Sequence, residues 1–126
     1  MIGTEVSTYI YVNGVLLSRR FITDQSGTPI TRSDVSSIKL SVFVITNNEY
    51  GAVIRTPVTG FDEYNLNVSD VITDGVQTDA QGNKYNFNYC VENAFKVPET
   101  DYCVEYKLNM TDGHTVIIPV YGTTLE

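Results

Sequence analysis

The stretch Tyr102-Cys103-Val104-Glu105-Tyr106-Lys107-Leu108-Asn109-Met110-Thr111-Asp112-Gly113-His114-Thr115-Val116-Ile117-Ile118-Pro119-Val120-Tyr121 decides the fold class. Up to Met110 it alternates apolar and less apolar residues with a period of two, the mark of a half-buried strand. Asp112-Gly113 suits the positive φ angles of a tight hairpin turn, and the β-branched run from Thr115 is expected to fold back antiparallel. Pro119 has no N–H to donate to a ladder, which predicts that the last strand lies at an edge or bulges there.

The same pattern recurs upstream. Tyr85-Asn86-Phe87-Asn88-Tyr89-Cys90-Val91 places Tyr85, Phe87, Tyr89 and Val91 on a core face and Asn86, Asn88 and Cys90 on the opposite one. Between this strand and Tyr102, Pro98 interrupts any ladder, and the chain needs a corner that changes sheets; Tyr102 stands where the tyrosine of a tyrosine corner would. Ser37 to Ile45 puts Ile38, Leu40, Val42 and Val44 on one face, and a further strand is expected over Gly51 to Thr56. Tyr9-Ile10-Tyr11-Val12 and Val15-Leu16-Leu17 flank Asn13-Gly14, the strongest short hairpin signal in the chain. Asp24-Gln25-Ser26-Gly27-Thr28-Pro29 is a turn by composition. Val68 to Val76 alone has apolar spacings of three and four behind a Ser-Asp cap, so it is read as a short helical turn stopping at Gly75.

These signals predict an all-β fold, an immunoglobulin-like antiparallel sandwich of about seven or eight strands with at most one short helical turn. The 126 residues are expected to form a single domain, with residues 1–8 as a possible docking arm. Fourteen of the residues are Tyr or Phe and none is Trp, and the many Val, Ile and Thr suit a pleated surface. The net charge of −7 repels phosphate backbones and anionic headgroups, which argues against nucleic acid and membrane surfaces as partners. The first residues lack the basic start and apolar run of a secretion signal, and no stretch approaches a membrane span, so synthesis and assembly in the cytoplasm are expected.

No cofactor, metal site or catalytic constellation is expected. Cys90 and Cys103 point away from the core in the alternation above, on strands that belong to different sheets of such a sandwich; two free thiols are expected. His114, the sole histidine, sits in the hairpin turn without a nucleophile or orienting carboxylate assigned to it, and reads as a solvated turn residue. Asp62, Glu63, Asp70, Asp74, Asp79, Glu99 and Asp101 fall mostly in loops. Asp79-Ala80-Gln81-Gly82-Asn83 lacks the alternating oxygen ligands and terminal bidentate acid of a calcium loop. Tyr9 and Tyr11 share a face, and with Tyr50 and Tyr64 near loops they leave a sugar-stacking platform open as a second class of function.

From Asp24-Gln25-Ser26-Gly27-Thr28-Pro29-Ile30-Thr31 through Val35-Ser36-Ser37-Ile38-Lys39-Leu40-Ser41-Val42, and from Leu66-Asn67-Val68-Ser69-Asp70-Val71-Ile72 through Tyr85-Asn86-Phe87 to Tyr102-Cys103-Val104-Glu105-Tyr106, the chain resembles small immunoglobulin-like structural proteins of tailed-bacteriophage virions. The resemblance implies a non-enzymatic protein of the virion that binds other virion proteins, such as the major capsid protein or a neck or tail protein, and forms homo-oligomers in the assembly. Capsid decoration or cementing comes first, a collar, adaptor or head–tail connector second, and a carbohydrate-binding or host-attachment module is the reading from another class. Partner contacts are expected at Tyr9 and Tyr11, and at Val120 and Tyr121 on the exposed last strand, which offers a ladder for strand addition.

Overall fold

In the computed structural model, which describes residues 8–125, the strand predicted at Tyr102 runs from Asp101 to Met110 (β8) and pairs antiparallel, in unbroken register, with Thr115–Thr124 (β9). The other elements in chain order are Thr8–Ile10 (β1), Leu16–Arg20 (β2), a 3-10 turn Arg32–Asp34, Val35–Asn47 (β3), Val53–Pro57 (β4), Tyr64–Leu66 (β5), a helical turn Val68–Val71 (α1), Ile72–Thr78 (β6) and Lys84–Val91 (β7), so there is one short 3-10 turn beyond the single helical turn expected. A six-stranded sheet has the order β1-β9-β8-β3-β4, with β5 also paired to β3, and a three-stranded sheet has the order β2-β7-β6. The chain passes repeatedly between the two layers, and β1 lies parallel to β9. This is the connectivity of an immunoglobulin-like β-sandwich.

The core is made where the two inner faces meet. Ile38, Leu40 and Val42 of β3, Phe87 and Val91 of β7, and Val104, Tyr106 and Leu108 of β8 are all buried. Edge-to-face contacts join the layers, with the Phe87 and Tyr106 ring centroids 4.8 Å apart, a geometry that places ring edge against ring face. Tyr102 is buried at the sheet-changing corner, where its hydroxyl accepts a 3.3 Å hydrogen bond from the Val97 N–H and its ring packs edge-on against Phe95. The tyrosine corner expected from the sequence is therefore present.

Four loops share one design. At residues 24–28, 48–52, 79–83 and 110–114 the first N–H bonds the fifth carbonyl, the fourth N–H bonds the first carbonyl, and the fourth residue is a glycine with positive φ. This is a three-residue hairpin loop closed by a glycine bulge. In the first three the leading Asp24, Asn48 or Asp79 also accepts two backbone N–H groups through Oδ1, at 2.9–3.0 Å. The Asp79 carboxylate is thus a loop brace. At 110–114 only Gly113 takes positive φ, so the turn is one residue longer than the two-residue form suggested by Asp112-Gly113.

Three expectations need correction. Asn13-Gly14 does turn the chain, with Asn13 at φ 62° and the Gly14 N–H bonded to the Tyr11 carbonyl, but its arms do not pair with each other. β1 joins β9 in one sheet and β2 joins β7 in the other, so the turn is a crossing between layers. The helical reading of Val68 to Val76 holds only for α1; from Ile72 the chain is strand β6, because the ladder to β7 takes over the backbone groups. Pro119 meets the edge alternative of its expectation: it sits without a bulge in register opposite Glu105, and β1 covers the far side of β9 only from Gly122 onward among the described residues. Nine strands rather than seven or eight result because β5, three residues long, forms a short additional ladder on β3 and β6 stands where a helical turn was expected.

Candidate functional site: the outer face of the six-stranded sheet

Residues that alternate with the core positions of β3, β8 and β9 form three cross-strand rows on the outer face of the large sheet. The register aligns Phe43 with Cys103 and Tyr121, Ser41 with Glu105 and Pro119, and Lys39 with Lys107 and Ile117. Arg55 of β4 reaches over this face: its guanidinium lies 4.3 Å from the Phe43 ring centre, donates a 2.8 Å hydrogen bond to Glu105, and approaches the Cys103 sulfur at 3.6 Å. At the other side Lys107 lies 4.0 Å from Glu63, whose N–H donates to the Ser41 hydroxyl. A shallow cleft of about 290 Å³ runs between Phe43, Ile117 and the Lys39 and Glu63 side chains. The result is apolar ground at Phe43, Ile117 and Pro119 set among paired charges.

The electrostatics follow from this layout. The Glu105 hydrogen bond pushes the Arg55 guanidinium further up, so this cation does not titrate in the ordinary range. Cys103 points outward, as its alternation requires, yet has no exposure. Burial pushes its thiol up, opposed by Arg55. Cys90 lies on β7 in the other sheet, and its thiol is also pushed up by burial and then by Glu92. Both cysteines are free. An oxidisable thiolate is disfavoured at both positions.

Of the four contact residues expected from the sequence, three are placed at the surface and one is not. Tyr9 is 75% exposed and pairs with Thr123; because Ile10 is turned into the core, Tyr9 shares the outer face with Tyr121. Tyr11 is 77% exposed just beyond the end of β1. Tyr121 is half-buried beside Cys103. Val120 is only 6% exposed and faces Val104 inside the sandwich, so it is a core residue and presents no side chain to a partner. The arm expected over residues 1–8 lies outside the described residues except for Thr8. Phe43, Arg55 and Ile117 were not singled out in the sequence, and Pro119 only for its missing N–H. The alternation Lys39-Ser41-Phe43, Cys103-Glu105-Lys107 and Ile117-Pro119-Tyr121 carried the signal, but the registers that bring the three series together were needed to read it.

His114 lies in the 110–114 loop with Nδ1 3.0 Å from Asp112 Oδ2, both side chains largely in solvent. The Asp112 carboxyl is held low, first by the His114 backbone N–H and then by its imidazole. Among the described residues no three His, Cys, Asp or Glu side chains gather as metal ligands, and no helix is long and apolar enough to cross a membrane. Tyr50 and Tyr64 are exposed, on the β3–β4 loop and on β5 respectively. The chain matches no family model, no curated protein and no solved structure at the level of significance required.

Proposed function

We propose that this chain is a non-enzymatic structural protein of a tailed-phage virion that binds other virion proteins through the outer face of its six-stranded sheet. Capsid decoration is the first role and a neck or tail adaptor the second. The observation that carries the binding reading is the composition of that face: Phe43 capped by Arg55, with Ile117 and Pro119 exposed beside it and ion pairs on either side. Aromatic and arginine anchors ringed by charge are the usual make-up of a protein-binding patch. The virion setting rests on the sequence resemblance, and the acidic surface is compatible with a shell component that must avoid packaged nucleic acid.

Light scattering of the purified protein tests this, alone and mixed with shell and neck proteins encoded by the same genome. A discrete oligomer or a stable complex is expected, and Ile117→Glu, at an exposed position, should abolish it while leaving the circular dichroism spectrum unchanged. A monomer that ignores every structural partner refutes the proposal, and glycan binding through the exposed tyrosines would then be the reading to pursue.

A further inference from the structure

At one end of the sandwich the loop between β2 and β3 approaches the β8–β9 hairpin and leaves a cleft of about 470 Å³. Its apolar lining comes from Ile22 and Ile30 on the loop side and from Leu108, Met110 and Val116 on the hairpin side, with Thr23, Gln25, Ser26 and Thr115 between them. Asp24, Asp112 and His114 line it too; His114 Nδ1 lies 3.0 Å from Asp112 Oδ2, so Asp24 is the carboxylate without a basic partner among the described residues. Both carboxyls sit below their ordinary range: Asp24 is held by the Ser26 hydroxyl and then the Thr28 N–H, and Asp112 by the His114 N–H. They are therefore charged at any pH near neutrality. An apolar trough with a fixed anionic rim is the complement of an aliphatic stem that ends in a cation, the shape of a basic side chain. The excess of acidic over basic residues in the whole chain favours the same sign of partner.

We propose that this cleft receives a lysine or arginine side chain presented by a partner protein, its methylene stem against the apolar walls and its cationic head at the Asp24 and Asp112 carboxylates. The site is separate from the sheet face described above. Leu108 and Met110 alternate with Lys107 and Asn109 along β8 and lie on the opposite side of the strand from Glu105 and Lys107. Its fate does not depend on whether that face binds anything.

The test is a titration of isotope-labelled full-length protein with the peptide acetyl-Ala-Ala-Arg-Ala-Ala-amide, read by amide chemical shifts. Saturable shifts confined to residues 22–30 and 108–116 are expected, and the same peptide with citrulline in place of arginine should bind several-fold more weakly. In the double variant Asp24→Asn, Asp112→Asn, affinity for the arginine peptide should fall about threefold to tenfold, the range for two exposed charge contacts. That variant keeps the loops intact, because Asn48 already fills the Asp24 role in the 48–52 loop with its amide oxygen, and an amide oxygen at position 112 still accepts the His114 N–H. Unchanged amide dispersion checks this, and loss of wild-type binding at high salt gives a second reading that needs no variant. Absence of shifts, equal binding of the citrulline peptide, or an unweakened double variant overturns the proposal. So does binding of hexylamine without binding of the peptide, which would assign the cleft to free amines.

Discussion

Asn86 is the residue whose removal tests the packing of this sandwich most directly. It is 1% exposed on β7, on the face turned away from the core, and is covered by the loop between β2 and β3. Its Oδ1 accepts the Ile22 N–H at 2.8 Å, and its Nδ2 donates to the Ile22 carbonyl at 2.8 Å and to the Ile30 carbonyl at 2.9 Å. Asn86→Ala strands the Ile22 N–H and the Ile30 carbonyl, whereas the Ile22 carbonyl keeps the Ile30 N–H at 3.1 Å. The buried Ile30 carbonyl costs about 1–3 kcal/mol and the N–H of half-buried Ile22, which regains some water, about 0.5–1 kcal/mol, so the sum is about 2.5 kcal/mol. For a domain of this size that lowers Tm by about 10 °C. Asn86→Asp keeps the acceptor but turns a carboxylate toward two carbonyls. Its loss at neutral pH should match or exceed that of alanine and should shrink on acidification, when the acid regains a donor. Asn88→Ala, which removes only the exposed bond from Arg19 Nε, is the control and should cost less than about 0.5 kcal/mol. Urea unfolding followed by circular dichroism measures all three. An Asn86→Ala loss below about 1 kcal/mol would refute the argument that these bonds hold the loop on the sheet.

Four other outcomes are expected. Tyr106→Phe should be neutral or stabilising within about 1 kcal/mol by thermal unfolding, because the buried Tyr106 and Ser18 hydroxyls make no hydrogen bond of ordinary geometry among the described residues and have only each other within reach; a large loss would show that the two do pair. Gly122→Ala should cost about 1–3 kcal/mol, since the new Cβ meets the side chain of Ile10, itself packed in the core, and lies 3.1 Å from the Thr8 carbonyl; an unchanged urea midpoint would mean that β1 is not seated on β9 as described. Asp24, Asp79 and Asp112 each have a native carboxyl pKa lowered from the ordinary 3.8 by loop hydrogen bonds, so the stability they contribute is present above that value and is lost as pH falls through the native values. A triple Asp→Asn variant should therefore show a flatter urea midpoint between neutral pH and pH ~3 than the parent, and parallel curves would count against the braces. Thiol titration of the denatured, unreduced protein should count both cysteines, whereas in the native protein Cys103 should stay unreactive until unfolding and Cys90 should react first; zero thiols after denaturation would contradict the free pair.

Local chemistry alone carried the strands with clean alternation, the sheet-changing corner at Tyr102 and the turn at Asp24, because side-chain period and turn preference act over a few neighbouring residues. It also carried the outward alternation of Cys103, but not its burial, which depends on Arg55 arriving from another strand. Asn86 was legible as a residue of the outer face and not as a buried staple, since only the chain passing over it at 22–30 takes it out of water. Val120 shows the same limit from the other side: its membership of an edge-like strand was readable, whereas its direction depended on the register with Val104. Asn13-Gly14 marks the boundary most clearly. The sequence by itself determined that the chain turns there; only the tertiary structure decided that the arms part into different sheets, because pairing with β9 and with β7 lets Ile10 and Leu16 each be buried in the core between the layers.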